Sequence, residues 1–531
     1  MNKATLAAII AAPVLLVFAV VLNLNYNHTG DNAANIAGSI KIDNGDLKIN
    51  WDRYKYHDVE LGSTYTITES GVYHLTGAID DGSIVIKTDA EAVVKLILDN
   101  VSITNPNGPA ISCYSGDDLV IELIGENYLE DGSKYSTDYD EDVTGVIYSK
   151  SDLTFQGDGS LTLKANYQDG IVGKDDLTFR GGLYVIDAAD DGIRGKDSVH
   201  VEKGDFEIVS KADAIKSTNE TDTTKGFILI DDGSFSITSQ AKGIKATNSI
   251  LIYGGDYEIT STDDGIHTNN YIGIIDGNIE IASNDDGIHA DARLIIDGGN
   301  INISKSYEGL EAQKISINDG KISIYSNDDG LNAGGGADAS ATNRMGAGAF
   351  DADENCELAI NGGYVYVNAA GDGIDSNGWL YFNGGTVVVD GPTNNGNGAL
   401  DSGSGIVMNG GTVVAVGASG MAETLGSSSS VYNISVYFTS ALAKGTTVEI
   451  RDSNGKTILS HVSAKTFNHL SAGTEEFKKG ETYNIYVNDS LYDSFTISDI
   501  TTVVGSGANN YRGNMMNGGG NANQQNAGQR R

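Results

Sequence analysis

The sequence contains little cysteine, little proline and few cations. Its 531 residues include 2 cysteines, 4 prolines, and 34 lysines and arginines against 72 aspartates and glutamates. The scarcity of proline excludes collagen-like chains and proline-rich disorder. The net charge of −38 creates a surface that repels nucleic acid and anionic lipid and attracts cations, divalent ones most strongly. We therefore expect no nucleic-acid partner.

The two cysteines, Cys113 and Cys356, are too far apart for a disulfide. About nine turns of the repeat described below separate them, which at roughly 4.8 Å per turn is on the order of 40 Å. A disulfide requires Cα atoms within about 7 Å of each other. We expect two unpaired thiols, so stability must come from stacked structure, with bound ions as a further contributor.

Familiar catalytic and cofactor patterns are also missing. The sequence shows no Cys/His zinc spacing, Ser-His-Asp pattern, P-loop or dinucleotide-binding fingerprint. Its scattered Gly-x-Gly pairs are explained by turns.

A long apolar run occupies the N-terminus, where residues 4–22 follow the single cation Lys3. The run is just long enough to span a bilayer, and neither a small-x-small cleavage site nor a lipobox cysteine follows it. We expect residues 1–22 to be an uncleaved anchor, with a cleaved signal peptide as the alternative, and the polar residues 23–38 to be a stalk. Both readings predict an extracellular protein, secreted or anchored at the cell surface, that touches membrane only through this segment.

A repeat marked by an acidic residue, Gly and Ile or Leu dominates the chain from about residue 106. The commonest spacing between markers is 22 residues. A spacing of 29 indicates an insertion at 218–225, and one of 43 indicates about two turns with an insertion at 334–356. Ala214 takes the place of glycine once. The marker glycines are Gly145, Gly170, Gly192, Gly243, Gly265, Gly287, Gly309, Gly330 and Gly373.

Each repeat divides into three short strands and three turns, and alternate residues of the strands are apolar. Overlaying the repeats aligns these residues in columns, so stacking would bury one face of every strand. This pattern predicts an all-β fold: a right-handed parallel β-helix over residues 39–420, with an N-terminal cap. The columns contain Ile171, Ile193, Ile215, Ile244, Ile266, Ile288, Leu310, Leu331 and Ile374; Leu177, Val199, Ile228, Ile250, Ile272 and Leu294; and Phe179, Val201, Ile230, Ile252, Ile274 and Ile296.

The repeat stops before residue 421. Residues 421–503 alternate as strands and include the hairpin signal Asp-Ser-Asn-Gly at 452–455, which predicts a small antiparallel, sandwich-like β-domain. Residues 504–531 are rich in Gly, Asn and Gln and predict a disordered tail. We expect the protein to be a monomer.

Carboxylates precede the marker glycines in turn after turn. At roughly 4.8 Å spacing, neighbouring charges repel by about 0.9 kcal/mol in water and about 3 to 4 kcal/mol at an effective dielectric near 20. Ca²⁺ binds oxygen at about 2.3–2.6 Å, so one ion fits between two stacked carboxylates. We therefore expect Ca²⁺ as cofactor, held within a set formed by Asp169, Asp190, Asp191, Asp213, Asp263, Asp264, Asp285, Asp286, Asp328, Asp329, Asp372 and Asp375.

A simpler explanation for the same residues needs no ion. Asp-Asp-Gly is common turn chemistry, in which Gly supplies a positive φ and Asp caps its own backbone. Under that explanation the carboxylates point into solvent. The cation Lys242, which interrupts the acidic column, makes an ion at its turn doubtful.

Three insertions, at 128–142, 218–225 and 334–356, interrupt the turns and offer walls for a ligand groove. Arg344 in the third insertion and the aromatic residues Tyr307, Trp379 and Tyr381 are candidate glycan contacts, although the aromatic rings are equally consistent with packing. Lys216 and Arg194, two residues past their markers, are the candidate bases for β-elimination next to Ca²⁺-bound uronate. Balancing the charge of the aspartates is the alternative role for both. His267 and His289 share the column of these cations, and we expect them at exposed ladder positions, with metal ligation as the alternative.

The chain resembles the secreted carbohydrate-binding, polysaccharide-lyase-like parallel β-helix proteins over about residues 60–500. The segments that carry the resemblance are GVYHLTG at 71–77, NGPAI at 107–111, GENYLEDG at 125–132, SDLTF at 151–155, GDGIDSNG at 371–378 and NGALD at 397–401. The resemblance implies a Ca²⁺-bearing right-handed β-helix with metal at the aspartates before the markers. It also implies binding of plant-type or acidic polysaccharide without firmly established catalysis.

Three functions are consistent with the sequence: a calcium-dependent polysaccharide-binding surface protein, a calcium-dependent lyase of the pectate type acting on uronate polymers, and a structural adhesin. The first agrees best with the resemblance, and whether the protein is an enzyme stays open.

Overall fold

The computed structural model describes residues 32, 33, 40, 42, 44–334 and 352–506. The expected anchor at 1–22, nearly all of the expected stalk at 23–38, Arg344 and the tail from 507 onward lie outside the described residues. No helix in the described part of the chain combines the length and apolarity that a bilayer crossing requires. Almost all regular structure is β-strand, preceded by two 3-10 helices, Asp46–Lys48 and Trp51–Arg53.

The strands wind into a parallel β-solenoid of about 15 turns. Each turn has three strands, and strands of successive turns pair in parallel, so the solenoid has three faces. In one representative turn the first face holds Ile244–Ala246, the second Ser249–Ile252 and the third Asp256–Ser261. The predicted parallel β-helix with three strands per turn is therefore confirmed.

The first face, which follows the markers, consists of Tyr65–Ile67, Ile84–Lys87, Ile111–Ser115, Gly145–Ser149, Asp169–Gly173, Ile193–Gly195, Ile215–Ser217, Ile244–Ala246, Ile266–Thr268, Ile288–Ile296, Leu310–Ile317, Leu331–Ala333, Ile374–Ser376 and Leu400–Ser402. Ile288–Ile296 and Leu310–Ile317 continue onto the second face. The second face also contains Tyr56–Leu61, Gly71–Ile79, Val93–Asp99, Asp118–Ile124, Asp152–Gly157, Asp176–Ala188, Ser198–Ser210, Phe227–Ile230, Ser249–Ile252, Tyr271–Ile274, Glu357–Ile360, Trp379–Phe382 and Gly405–Met408.

Gly71–Ile79, Asp176–Ala188 and Ser198–Ser210 bend from the second face onto the third. The other third-face strands are Ser102–Asn105, Glu126–Asp131, Ser160–Ala165, Ser234–Ser239, Asp256–Ser261, Asn278–Ala282, Asn300–Ser306, Lys321–Ser326, Tyr364–Ala369, Thr386–Asp390 and Thr412–Gly417.

The apolar columns form the core, as their periodicity predicted. Ile244, Ile266 and Ile288 are neighbours in register on the first face and are fully buried. The second-face columns of Ile250 and Ile252 are buried in the same way. Because a turn completes the burial of its apolar side chains only when turns stack above and below it, stability depends on stacking rather than on any single turn.

The marker glycines do not adopt positive φ, so that part of the turn explanation is wrong. Positive φ occurs instead between the second and third faces, as at Gly255 (φ 103°) and Gly277 (φ 132°). At a marker the reason for glycine is close approach. A Cβ on Gly265 would lie 2.6 Å from the carbonyl oxygen of Gly287 in the next turn and 2.7 Å from a methyl group of Ile281.

The spacing of 43 between markers is one turn with a large insertion, not about two turns. Leu331–Ala333 pairs directly with Ile374–Ser376, so the extra residues leave the solenoid between these strands. Cys113 and Cys356 are both buried and unpaired, as predicted.

An antiparallel sheet follows the last solenoid turn. Phe467–Thr474 pairs antiparallel with the last third-face strand and with Asn433–Leu442, which also pairs in parallel with Thr501–Val504. Thr447–Asp452, Thr457–Val462, Thr482–Val487 and Ser490–Thr496 form a second, four-stranded sheet. The two sheets share an apolar cluster that includes Ile434, Ile450 and Ile485.

His469 makes the stability of this C-terminal region depend on pH. Its side chain is 2% exposed and faces Ser435, with Nε2 2.8 Å from the hydroxyl oxygen. Burial lowers the pKa of His469 from 6.5 to about 4, because the charged imidazole loses its hydration. The stabilising effect of the neutral ring is complete above pH 6.5, since an unfolded histidine is also neutral there, and it disappears as the pH falls toward 4.

We expect the free energy of opening of strands Asn433–Leu442 and Phe467–Thr474 to fall by about 3 kcal/mol between pH 7 and pH 4 through this residue. Hydrogen exchange corrected for intrinsic rates measures it. The His469→Gln variant should lack this component, and an equal pH dependence in both proteins would contradict the assignment.

Candidate functional site

The carboxylates before the markers form a ladder along one corner of the solenoid, between the third and first faces. We call the positions of Asp169, Asp191, Asp213, Lys242, Asp264, Asp286, Glu308, Asp329 and Asp372 the acid ladder. Oδ1 of Asp264 accepts a hydrogen bond from the backbone N–H of Asp286 in the next turn at 3.0 Å. The same bond links Asp191 to Asp213 at 3.1 Å. Each aspartate therefore caps the backbone of the following turn rather than its own.

The ladder is buried in its N-terminal half, so the carboxylates there do not point into solvent as the turn explanation requires. Asp169, Asp191, Asp213, Asp264 and Asp286 are each at most 4% exposed. Buried charges require partners, and the first of them are protein cations. Arg194 donates to Oδ2 of Asp169 at 2.6 Å, and Nζ of Lys216 lies 2.9 Å from Oδ2 of Asp213 and 3.3 Å from Oδ2 of Asp191.

Lys242 occupies a ladder position itself and neutralises the next turn. Its side chain is buried, and its ammonium group donates to Oδ1 of Asp263 at 2.9 Å and to Oδ2 of Asp264. Burial opposes its charge, but the two aspartates outweigh burial and raise the pKa of Lys242. The interruption of the acidic column is therefore an internal counter-ion.

A second column runs beside the ladder, two residues past each marker, and its charge changes sign along the solenoid. The pairing register aligns Arg194, Lys216, Lys245, His267, His289, Glu311, Asn332, Asp375 and Asp401. We call this the charge column. Its basic half faces the paired part of the ladder. From Glu311 onward the column supplies carboxylates and an amide where the earlier turns supply cations.

Asp329, Asp372 and Asp375 meet in this acidic half. Each offers an oxygen within 4.8 Å of the others. Within the described residues, no Lys, Arg or His side chain forms an ion pair with these three carboxylates. Burial, with Asp372 and Asp375 beside it, raises the pKa of Asp329 to about 9, and burial raises the pKa of Asp372 to about 7. In the part of the chain that the structure describes, no side-chain cation compensates this negative charge.

The donors at this cluster suit a hard divalent cation. Carboxylate and amide oxygens are the ligands that Ca²⁺ prefers. Asn332 adds a neutral oxygen: it is 4% exposed, its Nδ2 donates to Glu308 at 2.8 Å, and its Oδ1 accepts no hydrogen bond. Asn332 lies next to Asp375 in register. The residues present therefore fit Ca²⁺, and we call Asp329, Asp372 and Asp375 the acidic cluster.

The remaining predicted metal ligands are distributed along the ladder. Asp263, Asp264 and Asp285 bring oxygens within 4.8 Å of one another, but Lys242 already lies against the first two. Asp190 and Asp328 lie beside the ladder and are partly exposed. Asp286 faces His289 and Glu311 instead of another aspartate.

Exposed Trp379 and half-buried Tyr381 form an aromatic pair in the same turn as Asp372 and Asp375. Their rings lie 6.0 Å apart at 20° on the outer side of the second face, and Trp379 is 37% exposed. Gly405, below Trp379 in register, leaves the ring uncovered on that side. Tyr307, the third predicted aromatic contact, is also 37% exposed and lies at the ladder corner next to Glu308.

The base of the third insertion borders both features. The corner at Asn377, between Asp375 and Trp379, receives a hydrogen bond from the backbone N–H of Asp353 at 2.8 Å and donates one to the carbonyl of Gly334 at 3.1 Å. The acidic cluster, the root of the insertion and the aromatic pair therefore follow one another around the solenoid, from the ladder corner across the first face to the second face.

Sequence reasoning missed several acidic residues and misjudged the histidines. Glu308, in the ladder, and Glu311, in the charge column, were left out of the predicted metal set, although their positions relative to the marker identify them. Asp152, Asp175 and Asp176 form another group of carboxylates within 4.8 Å of one another, with no marker to reveal it. His267 and His289 are 4% and 0% exposed, so the expectation of exposed positions is wrong.

Two known proteins are similar to parts of this chain. A polysaccharide lyase-like protein from C. thermocellum, solved as a gadolinium derivative, aligns with 26% identity and a TM-score of 0.34 over 46% of this chain and 92% of that chain. A carbohydrate-binding domain-containing protein of Acetivibrio thermocellus is 35% identical over 126 residues, 23% of this chain and 44% of that relative. This chain therefore matches less than half the length of that relative.

The family model for carbohydrate-binding domain-containing proteins matches residues 61–309 and 248–352. These two ranges together cover more than half of the chain, and they include most of the solenoid, from its early turns to the root of the third insertion. The chain belongs to the family of carbohydrate-binding domain-containing proteins.

Proposed function

We propose that the protein binds an acidic, plant-type polysaccharide in a calcium-dependent manner at the part of the solenoid that carries the acidic cluster and the Trp379–Tyr381 pair. The observation that carries this proposal is the reversal of the charge column. Protein cations neutralise the ladder over several turns. Among the described residues the charge column becomes acidic from Glu311 onward, and the Trp379–Tyr381 pair lies in the turn that carries Asp372 and Asp375.

Bound calcium would explain why the charge column changes from basic to acidic. A protein with a net charge of −38 repels a polyanionic glycan. A divalent cation held by Asp329, Asp372 and Asp375 would neutralise the cluster and leave positions open for ligand oxygens. Trp379 and Tyr381 would then pack against sugar rings, since aromatic rings offer apolar faces that stay exposed at little conformational cost.

The alternative role as a lyase requires a base, and the two candidates are poorly suited to it. Burial alone would lower the pKa of Lys216, but Asp191 and Asp213 outweigh burial and raise it. Arg194 is tied to Asp169 and to the hydroxyl of Thr144, each at 2.6 Å. Both side chains act as counter-ions of the ladder, so we favour binding without catalysis.

Calorimetric titration of the full chain with polygalacturonate oligomers tests this function. We expect binding in millimolar CaCl₂, none in EDTA, and loss of the calcium-dependent part in the Asp372→Asn/Asp375→Asn double variant. Trp379→Ala should weaken binding by about tenfold, because the ring contributes on the order of 1–1.5 kcal/mol.

Tyr271→Ala is the matched control for Trp379, because Tyr271 lies in the same column of the second face and is 38% exposed. Its affinity should equal that of the wild type. Binding that is equal in CaCl₂ and EDTA would refute calcium dependence. Accumulation of unsaturated products, followed by ultraviolet absorbance, would instead establish a lyase.

The same proposal includes an extracellular location. Its support is the apolar N-terminal run in the sequence and the polymeric nature of the proposed ligand. Digestion of intact cells with a protease should remove the solenoid from an anchored protein, whereas a protected protein would contradict this location.

A further inference from the structure

A second cluster lies around His289, two turns from the acidic cluster. His289 is completely buried, and neither ring nitrogen makes a hydrogen bond. Three carboxylates nevertheless surround the ring. Nδ1 lies 3.3 Å from Oδ2 of Asp286 and 3.4 Å from Oε2 of Glu311, and Nε2 lies 3.4 Å from Oδ1 of Asp291.

These separations match the ligand spacing of a small tetrahedral ion. Zn²⁺ binds nitrogen and oxygen at about 2.0–2.2 Å, which places two ligands of a tetrahedron roughly 3.3–3.6 Å apart. The contacts from Nδ1 to Asp286 and Glu311 fall in or beside this range. A gap of this size is too small for a bridging water but accommodates a metal ion between the three side chains.

The surroundings hold the donors in place. Oδ1 of Asp286 accepts the backbone N–H of Glu308 at 3.1 Å, which leaves Oδ2 facing His289. Asp291 faces the opposite ring nitrogen. A carboxylate behind a metal-bound histidine fixes the ring and its tautomer in many zinc sites.

We propose that Asp286, His289 and Glu311 bind a transition-metal ion of the Zn²⁺ type, with Asp291 as the positioning carboxylate of His289. This site differs in chemistry from the acidic cluster. It offers an imidazole nitrogen and short ligand spacing, which favour Zn²⁺, whereas the acidic cluster offers oxygen alone, which favours Ca²⁺. The alternative occupant is a proton that makes His289 an imidazolium among the carboxylates, and that arrangement binds no metal.

Titration of the chelator-treated full chain with ZnCl₂ in metal-free buffer tests the site. We expect one Zn²⁺ bound per chain in the presence of excess CaCl₂, and intense visible absorption when Co²⁺ replaces Zn²⁺. His289→Gln should weaken Zn²⁺ binding by about a hundredfold or more, and Asp291→Asn by about 10–100-fold.

His200→Gln is the matched control, because His200 is 4% exposed and faces a single carboxylate, Asp231, at 2.9 Å. Its Zn²⁺ affinity should be unchanged, as should that of Asp375→Asn. Wild-type protein that binds no Zn²⁺, or whose Co²⁺ form lacks tetrahedral absorption, would overturn the proposal even if His289→Gln fails to fold. Equal Zn²⁺ affinity in folded His289→Gln would overturn it as well.

Discussion

Replacing Lys242 with methionine is expected to destabilise the solenoid by about 3–5 kcal/mol, because the change removes the ammonium counter-ion of a buried carboxylate. Asp264 is fully buried, and its Oδ2 faces the ammonium group of Lys242 and, at 2.8 Å, Nδ1 of His267. Methionine keeps most of the buried volume and the backbone N–H that donates to Asp213 at 3.0 Å. The loss of stability therefore reflects the removal of the charge rather than of packing. Urea denaturation followed by circular dichroism measures the free energy of unfolding.

Two further variants separate charge from packing in this prediction. Lys242→Met/Asp264→Asn should recover part of the stability, since the introduced amide carries no charge and its Oδ1 can still accept the backbone N–H of Asp286. Lys211→Met, at an exposed lysine, should change stability by less than about 0.5 kcal/mol. A loss below about 1 kcal/mol for Lys242→Met, or a double variant no more stable than the single one, would argue against this role.

Replacing Phe206 with alanine is expected to cost about 3–5 kcal/mol. Phe206 lies inside the third face, 3% exposed, in a stack that crosses four turns. Its ring centroid is 4.9 Å from that of Tyr184 and 5.0 Å from that of Phe235, and Phe235 stacks on Tyr257 at 4.8 Å. Alanine would leave a cavity between two turns, where a solenoid has no other contacts to compensate.

The size of the cavity should govern the loss. Phe206→Leu fills more of the space and should lose clearly less stability than Phe206→Ala. Tyr364→Ala removes a ring that is 40% exposed on the same face and should have an effect within about 0.5 kcal/mol. Hydrogen exchange should show the largest loss of protection in Ser198–Ser210 and Ser234–Ser239. Equal losses for the alanine and leucine variants would contradict a cavity as the cause.

Periodicity made most of the fold predictable. Alternation within strands identified the inward side chains, and the constant marker spacing aligned them turn upon turn. The aromatic stack through Phe206 follows from the same register, although its members differ in identity. The spacing of 43 was misjudged because length alone does not separate an added turn from an insertion; only the pairing of Leu331–Ala333 with Ile374–Ser376 decides it.

The position of the candidate site could be predicted from the sequence, but the burial and the hydrogen-bond partners of its carboxylates could not. The sequence identified the file of carboxylates and the cations beside it. It did not show that the file is buried or that each Oδ1 caps the next turn, because both depend on the direction of side chains at a corner. Repulsion between charges in adjacent turns was therefore a sound argument for neutralisation, but protein cations provide it over the first half of the ladder.

The sequence by itself determined the solenoid: its period, its apolar columns and the residues at each corner. These features depend on local alternation and regular spacing. Tertiary structure alone decided which charges meet. Residues 22 or 43 positions apart become neighbours only after stacking, and their burial decides whether a lysine, a histidine or a metal ion must balance them. The change from Lys216 to Asp375 along the charge column therefore has a chemical consequence only once stacking has placed these residues beside buried carboxylates.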